Sequence, residues 1–491
     1  MPKRIREGTR VFGEAWIASA AVITLMVLSP NAWGGVGLPW FDPFESDAAV
    51  APAPGVRWES RDPLPVVPEP AVPESLKNGA PLTLPELTEF ALRNNPATRQ
   101  AWLVARAAAA GVGIEEAARL PEVSGLFGLT RSEQVSASGT SVPWQTRYGP
   151  SVSLSYLLFD FGARAGRVEA AEYDLLAANL SHNRVLQDVV FQVEQAYYLL
   201  LGFDALEEAN ALSLQNNQTA LEAAQKRRES GLATVADIYR VETQVAQAQL
   251  NLTRSRGGLE KAKGQLASAV GLPVTAVLNV QMQLSPPSVR TITASMTELL
   301  ERAKASRPDL VAAETQFRAA RSSADAAAYS SLPSIEVTAE TGTAYFTDQR
   351  PSVNSYNVSV NLRVPLFSGF RDTYTVRQAQ AQAQQAEAAR DLLTRQTELE
   401  VWQAYYDVQT AASGMTSTEA QVRSAEQTAQ AALARYQAGY GSVLDLITAQ
   451  QDAANARVQR IQSFLDWFIA LARLNHSLGM SGGLLEAGGA P

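Results

Sequence analysis

Cysteine is absent from the 491-residue chain. That excludes disulfides, thiolate metal sites, cysteine nucleophiles and a lipid-modified N-terminal cysteine. Histidine is nearly absent: His182 and His476 stand far apart, and neither has a second histidine at metal-ligand spacing. No phosphate-binding loop and no nucleophile elbow can be found, so the sequence offers no enzyme site, cofactor site or metal site. Past the N-terminus, no apolar run reaches the roughly 20 residues that a transmembrane helix needs. Positive charge is not in excess. The net charge of -8 argues against nucleic acid as the main partner.

What is present begins with a basic segment, Lys3, Arg4, Arg6 and Arg10, followed by an apolar run from Trp16 to Leu28. Small residues at Ala32 and Gly34 follow, so residues 1–34 read as an export signal cleaved near Gly34. An uncleaved anchor is the alternative. Residues 35–81 hold 10 of the 25 prolines and read as an extended linker, since proline cannot donate a backbone hydrogen bond.

The remainder is an internal duplication. Asn95-Pro96 is matched by Arg307-Pro308, and Leu120-Pro121 by Leu332-Pro333, each 212 residues on. Leu158-Phe159 is then matched by Leu366-Phe367, Ala196-Tyr197-Tyr198 by Ala404-Tyr405-Tyr406, Gly231 by Gly439, Asp237 by Asp445, and Gly271 by Gly479, each 208 residues on. The change of offset places a length difference, and hence a loop, between Pro121 and Leu158. The first unit covers residues 82–272 and the second 297–480. Residues 273–296 join them, and 481–491 form a tail.

Both units repeat one order of elements. A helix of about 35 residues is expected first, Leu84 to Arg119 and Thr297 to Ser331, each stopped by Leu-Pro. A β-hairpin follows, within 122–160 and 334–367. Tyr356, Val358, Val360, Leu362 and Val364 alternate with Asn357, Ser359, Asn361 and Arg363, the period of a strand between two environments. Then comes a helix from Ala163 to about Glu229, and from Thr373 to about Gln437. About 65 residues at 1.5 Å each span on the order of 100 Å. Glycine at 231 or 439 turns the chain, and a second helix returns to Gly271 or Gly479, closing helical hairpins 163–271 and 373–479. Alanine-rich seams suit an antiparallel coiled coil.

Four alternating strands of about 10 to 13 residues are long enough to cross a bilayer at a tilt, yet too few to close a barrel. Three chains would supply twelve strands, an even number in the usual range. Tyr148, Tyr156, Phe159, Phe161, Tyr345, Phe346, Phe367 and Phe370 lie where an aromatic girdle would stand. The expected fold is therefore mainly α with a β-barrel portion: duplicated long helical hairpins forming an α-barrel, and four strands per chain in a trimeric transmembrane β-barrel. Asn357, Ser359, Asn361 and Arg363 are expected to line its lumen. The competing reading is a periplasmic coiled-coil adaptor or scaffold without a pore. It shares the helices but has no use for matched strands of bilayer length.

Several segments carry a resemblance to the TolC family of outer-membrane efflux proteins over nearly the whole mature chain. They are Ala91-Leu92-Arg93-Asn94-Asn95-Pro96, Leu120-Pro121, Leu158-Phe159-Asp160-Phe161-Gly162, Ala196-Tyr197-Tyr198, Gly231-Leu232-Ala233-Thr234 and Leu266-Ala267-Ser268-Ala269-Val270-Gly271. The resemblance implies a passive homotrimeric export channel in the outer membrane, reaching into the periplasm of a Gram-negative cell. It also implies two partners for efflux or type I secretion: a periplasmic adaptor and an inner-membrane transporter of the RND, ABC or MFS class.

Asp237 and Asp445 each follow a turn glycine by six residues. Under three-fold symmetry each would form a ring of carboxylates able to constrict a pore. Each is equally placed to cap a helix. The resemblance implies that Tyr436 bonds to Asp237 and holds the periplasmic gate shut. Thr448 stands where the family can carry a further aspartate, and Gly441 where it carries a latching arginine. Gly231-Leu232 and Gly439-Tyr440 are expected to dock the adaptor, glycine allowing the reversal and the apolar neighbour giving a contact.

Overall fold

A computed structural model of the chain describes residues 81–135, 141–281, 294–347 and 351–480. The expected export signal, the proline-rich segment up to residue 80, residues 282–293 of the inter-repeat segment and the tail lie outside the described residues.

Each unit opens with two helices where one was expected: α1 (Leu84–Asn94) and α2 (Pro96–Ala117) in the first, α5 (Met296–Ser306) and α6 (Pro308–Tyr329) in the second. The breaks fall at Asn95 and Arg307, whose ψ angles of 128° and 116° are extended. Proline at the next position bars both from helix and is itself well suited to open the following one. Asn95 completes the start of α2 by accepting from the Ala97 amide at 2.9 Å. The rule by which Leu-Pro stops the far end of this segment also breaks it at Asn95 and Arg307.

The four strands are β1 (Glu122–Val135), β2 (Ser141–Phe159), β3 (Ser334–Phe346) and β4 (Val353–Arg363). They form one antiparallel sheet in the order β1-β2-β3-β4, so β2 and β3 join the two repeats. β1 at 14 residues and β2 at 19 exceed the expected length. The extra length of the first unit thus extends its hairpin. At each strand-to-helix junction two residues in a row take positive φ, Phe161 (53°) with Gly162 (101°) and Gly369 (64°) with Phe370 (66°). Each pair holds one glycine and one phenylalanine, and the left-handed phenylalanine costs about 1 kcal/mol.

The long helices are α3 (Ala163–Glu229) and α7 (Arg371–Gln437), 67 residues each, returning as α4 (Val235–Val270) and α8 (Val443–Ser477). Neither long helix contains proline, and alanine is the commonest of their buried residues, which lets neighbours approach closely. Neighbouring helices run α2-α3-α6-α7 beside the sheet and α4-α3-α8-α7 toward the turns. Among the described residues the core falls into three clusters. One joins α1, α3 and α4 around Leu87, Val193 and Leu266, and its counterpart joins α5, α7 and α8 around Leu299, Val401 and Trp467. The third lies near the turns and spans both hairpins: Ala220, Ala224, Val241, Tyr436, Val443 and Leu446.

Candidate functional site

Two regions bring the expected residues together: the paired hairpin turns and the polar face of the sheet. Each turn is a helix ending of the same type. In the first, Gly231 has φ 72°, its amide donates to Arg228 O, and the Leu232 amide donates to Arg227 O. In the second, Gly439 has φ 87°, its amide donates to Tyr436 O, and the Tyr440 amide donates to Arg435 O. This left-handed closure satisfies the last carbonyls of the helix and usually folds the next apolar side chain back onto it. Here that side chain stays out: Leu232 is 66% exposed and Tyr440 90%.

Asp237 and Asp445 start the return helices. The Thr234 amide and hydroxyl each donate to Asp237 Oδ2 at 2.9 Å, while the Asp237 amide donates to Thr234 Oγ1 at 3.2 Å. Ser442 and Asp445 repeat the arrangement: the Ser442 amide donates to Asp445 Oδ2 at 3.4 Å and the Asp445 amide to Ser442 Oγ at 3.1 Å. Both aspartates are therefore capping-box residues. The bonds from the Thr234 backbone and side chain hold the Asp237 carboxyl below the usual range, helped by the charges of Arg240 and Arg227. That contribution to stability is present above the unfolded carboxylate pKa and is lost as pH falls through the lower folded value. Asp445 and Thr448 are exposed one turn apart on α8.

The expected bond between Tyr436 and Asp237 is not made. Asp237 spends its carboxylate on Thr234, and the buried Tyr436 hydroxyl has no hydrogen-bond partner. The Tyr436 ring is 2% exposed within the third core cluster. Arg227, which the sequence did not single out, meets it there. Its guanidinium lies 4.5 Å over the ring and donates to Tyr436 O at 2.6 Å.

On the sheet, register places Asn357, Ser359, Asn361 and Arg363 opposite Glu340, Thr338, Glu336 and Ser334. Ser153 and Ser155 continue this face on β2, and Ser124 on β1. Hydroxyls bond across it: Ser124 with Ser153 at 2.8 Å, Ser155 to Glu336 at 2.9 Å, and Thr338 with Ser359 at 2.7 Å. A hollow of about 360 Å³ opens on this side, lined by Gly149, Ser151, Glu340, Gly342, Ser355 and Asn357 among others. The opposite face carries Val123, Phe127, Leu129, Tyr356, Val358, Val360 and Leu362, all exposed. Aromatics mark both ends. Tyr148 stacks on Tyr345 toward the hairpin tips, and the pairs Phe159–Phe161 and Phe367–Phe370 stand at the helix junctions. From Tyr148 to Phe159 is about 36 Å of strand, or on the order of 27 Å of depth once tilted as barrel strands are.

Arg307, part of a repeat marker in the sequence, is the largest fully buried side chain among the described residues, 2% exposed. It bonds Asp309 at 2.5 Å and Glu400 at 2.6 Å. His476 bonds Asp188 at 2.7 Å, tying α8 to α3. Among the described residues no group of three or more His, Asp or Glu could hold a metal ion.

The family model for outer membrane efflux proteins matches residues 87–272 and 299–480. Protein CyaE of Bordetella pertussis is 28% identical over 392 residues, covering 77% of this chain and 80% of that protein. The proteases secretion protein PrtF of Dickeya chrysanthemi is 25% identical over 410 residues, covering 80% and 87%. The outer-membrane channel OprN superposes with a TM-score of 0.72 at 22% identity, covering 81% of this chain and 89% of that one. VceC of Vibrio cholerae gives 0.71 at 23% identity, covering 81% and 96%. The α-barrel plus β-barrel architecture and the outer-membrane location follow, and the coiled-coil scaffold without a pore is set aside. The chain belongs to the outer membrane efflux protein family.

Proposed function

We propose that three copies of this chain close into one passive export duct that crosses the outer membrane and reaches into the periplasm. The observation that carries this reading is a matched pair of open edges. The sheet ends at β1 on one side and β4 on the other. The helical layer ends at α2 on the first side and α7 on the second. Both edges expose large apolar side chains: Trp102, Leu103, Val104 and Ile114 on α2, and Tyr374, Leu392, Leu399, Trp402 and Tyr406 on α7. Open strand edges are not tolerated in lipid, and unlike edges joined head to tail close a ring. Three copies, the number the family resemblance implies, give twelve strands.

In this arrangement Asn357, Ser359, Asn361 and Arg363 line the barrel lumen, and the exposed apolar face of the sheet meets lipid. The hairpin turns form the periplasmic entrance. Asp237, Asp445, Thr448 and Tyr436 stand at that entrance, and Leu232 and Tyr440 beside Gly231 and Gly439 meet a periplasmic adaptor. Residues 1–34 serve as the export signal. An inner-membrane transporter of the RND, ABC or MFS class supplies energy and cargo choice. Relatives named for protease secretion and for pyoverdine export leave both large and small cargo within this scheme. The mass of the purified complex in mild detergent tests the assembly. A particle of three chains is expected, and a stable monomer or dimer overturns it.

A further inference from the structure

Beside the core cluster that spans both hairpins, one side chain bonds the two hairpin turns of one chain. Arg227, two residues before the end of α3, reaches the end of α7. Its Nη1 donates to Tyr436 O at 2.6 Å and lies 3.4 Å from Gly441 O, while Nη2 lies 3.4 Å from Leu232 O. The guanidinium covers the Tyr436 ring at 4.5 Å. One cation thus closes the carbonyl end of the neighbouring helix, where the backbone dipole favours positive charge, and stacks on its last buried aromatic. The Tyr436 hydroxyl takes no part, being buried without a partner.

Position 441 explains why the cation comes from the other hairpin. A Cβ on Gly441 would stand 3.1 Å from the Tyr436 amide nitrogen and 3.2 Å from the Arg435 carbonyl carbon. That spacing is tight for a Cβ; glycine there brings no cation of its own, and its carbonyl lies 3.4 Å from Arg227 Nη1. We infer that Arg227 is the pin that holds the two hairpin turns of one chain together. It acts through the ring of Tyr436 and the carbonyls of the second turn, not through a Tyr436 hydroxyl bond. That this joint lies at the mouth of the duct rests on the function proposed above.

Hydrogen exchange of the trimer in detergent tests the pin directly, at the Gly439, Tyr440 and Gly441 amides that bond back to Tyr436 and Arg435. Arg227→Ala should speed their exchange about tenfold or more, the scale of a lost charged hydrogen bond with its ring stack. Arg227→Lys should fall between, keeping the charge but losing the fork. Tyr436→Phe should exchange like the wild type. Protection around Val193 and Leu266 reports that each variant remains folded. Unchanged exchange in a folded Arg227→Ala, or a Tyr436→Phe that loosens the turn as much, overturns the pin. Single-channel conductance of the same samples reports on the entrance separately. A loosened turn with unaltered conductance upholds the pin and removes the gate from this site.

Discussion

The two repeats share a backbone and differ in what locks it. At the break in its first long segment, each unit sends one side chain to the end of its return helix. Asn95 donates to Ala269 O at 2.9 Å, and Arg307 reaches Ser477 O at 3.4 Å. Ala269 and Ser477 are themselves equivalent, 208 residues apart. The first lock is a neutral amide, satisfied by two backbone groups. The second is a buried cation that also needs Asp309 and Glu400. Duplication has preserved the contact while its chemistry diverged. The charged version draws in Arg184 of α3, 3.9 Å from Asp309, and so ties the second repeat to the first.

This contrast predicts unequal losses. Arg307→Ala strips the counter-charge from Asp309 and should cost about 3 kcal/mol, as breaking a buried ion pair does. Asn95→Ala removes a cap and one carbonyl bond and should cost about 1 kcal/mol. Denaturant midpoints of the solubilised protein decide it, and equal losses would erase the distinction between the locks.

Acid should separate the locks as well. Burial pushes the Asp309 carboxyl up, but the Arg307 hydrogen bonds and charge, with Arg184, outweigh it and hold the group below its usual range. Its stabilisation is full above the unfolded carboxylate value near 4 and fades as pH falls through the lower folded value. Melting temperatures of wild type and Asp309→Asn should differ most at about pH 6 and converge in acid. A gap that persists in acid contradicts the assignment.

The smallest difference expected is between the two turns. Thr234 holds Asp237 at 2.9 Å, whereas the matching Ser442 bond to Asp445 is 3.4 Å. Asp237→Asn should cost about 0.5 kcal/mol and Asp445→Asn less. Thermal melts of the two variants side by side would sharpen or reverse that order.

The large elements were legible because their signals are local and repeated. Helices of 67 residues follow from long stretches without proline, and the strand β4 from strict alternation between Tyr356 and Leu362. The breaks at Asn95 and Arg307 are equally local, since each precedes a proline that bars it from helix, although the periodicity runs on through both. Arg227 was not legible at all. It belongs to the run Lys226-Arg227-Arg228 at a helix C-terminus, where any cation is favoured, and only the fold chooses which one crosses to Tyr436. The Tyr436–Asp237 bond came from resemblance alone. The capping box at Thr234 competes for the same carboxylate and holds it.

Conductance in planar bilayers tests most directly whether these residues build an open-ended duct. Purified trimer should give discrete single-channel steps, and Asp445→Ala should change their size or cation preference. No steps from a correctly assembled, inserted trimer, in the wild type and in Arg227→Ala and Asp445→Ala alike, would contradict the account.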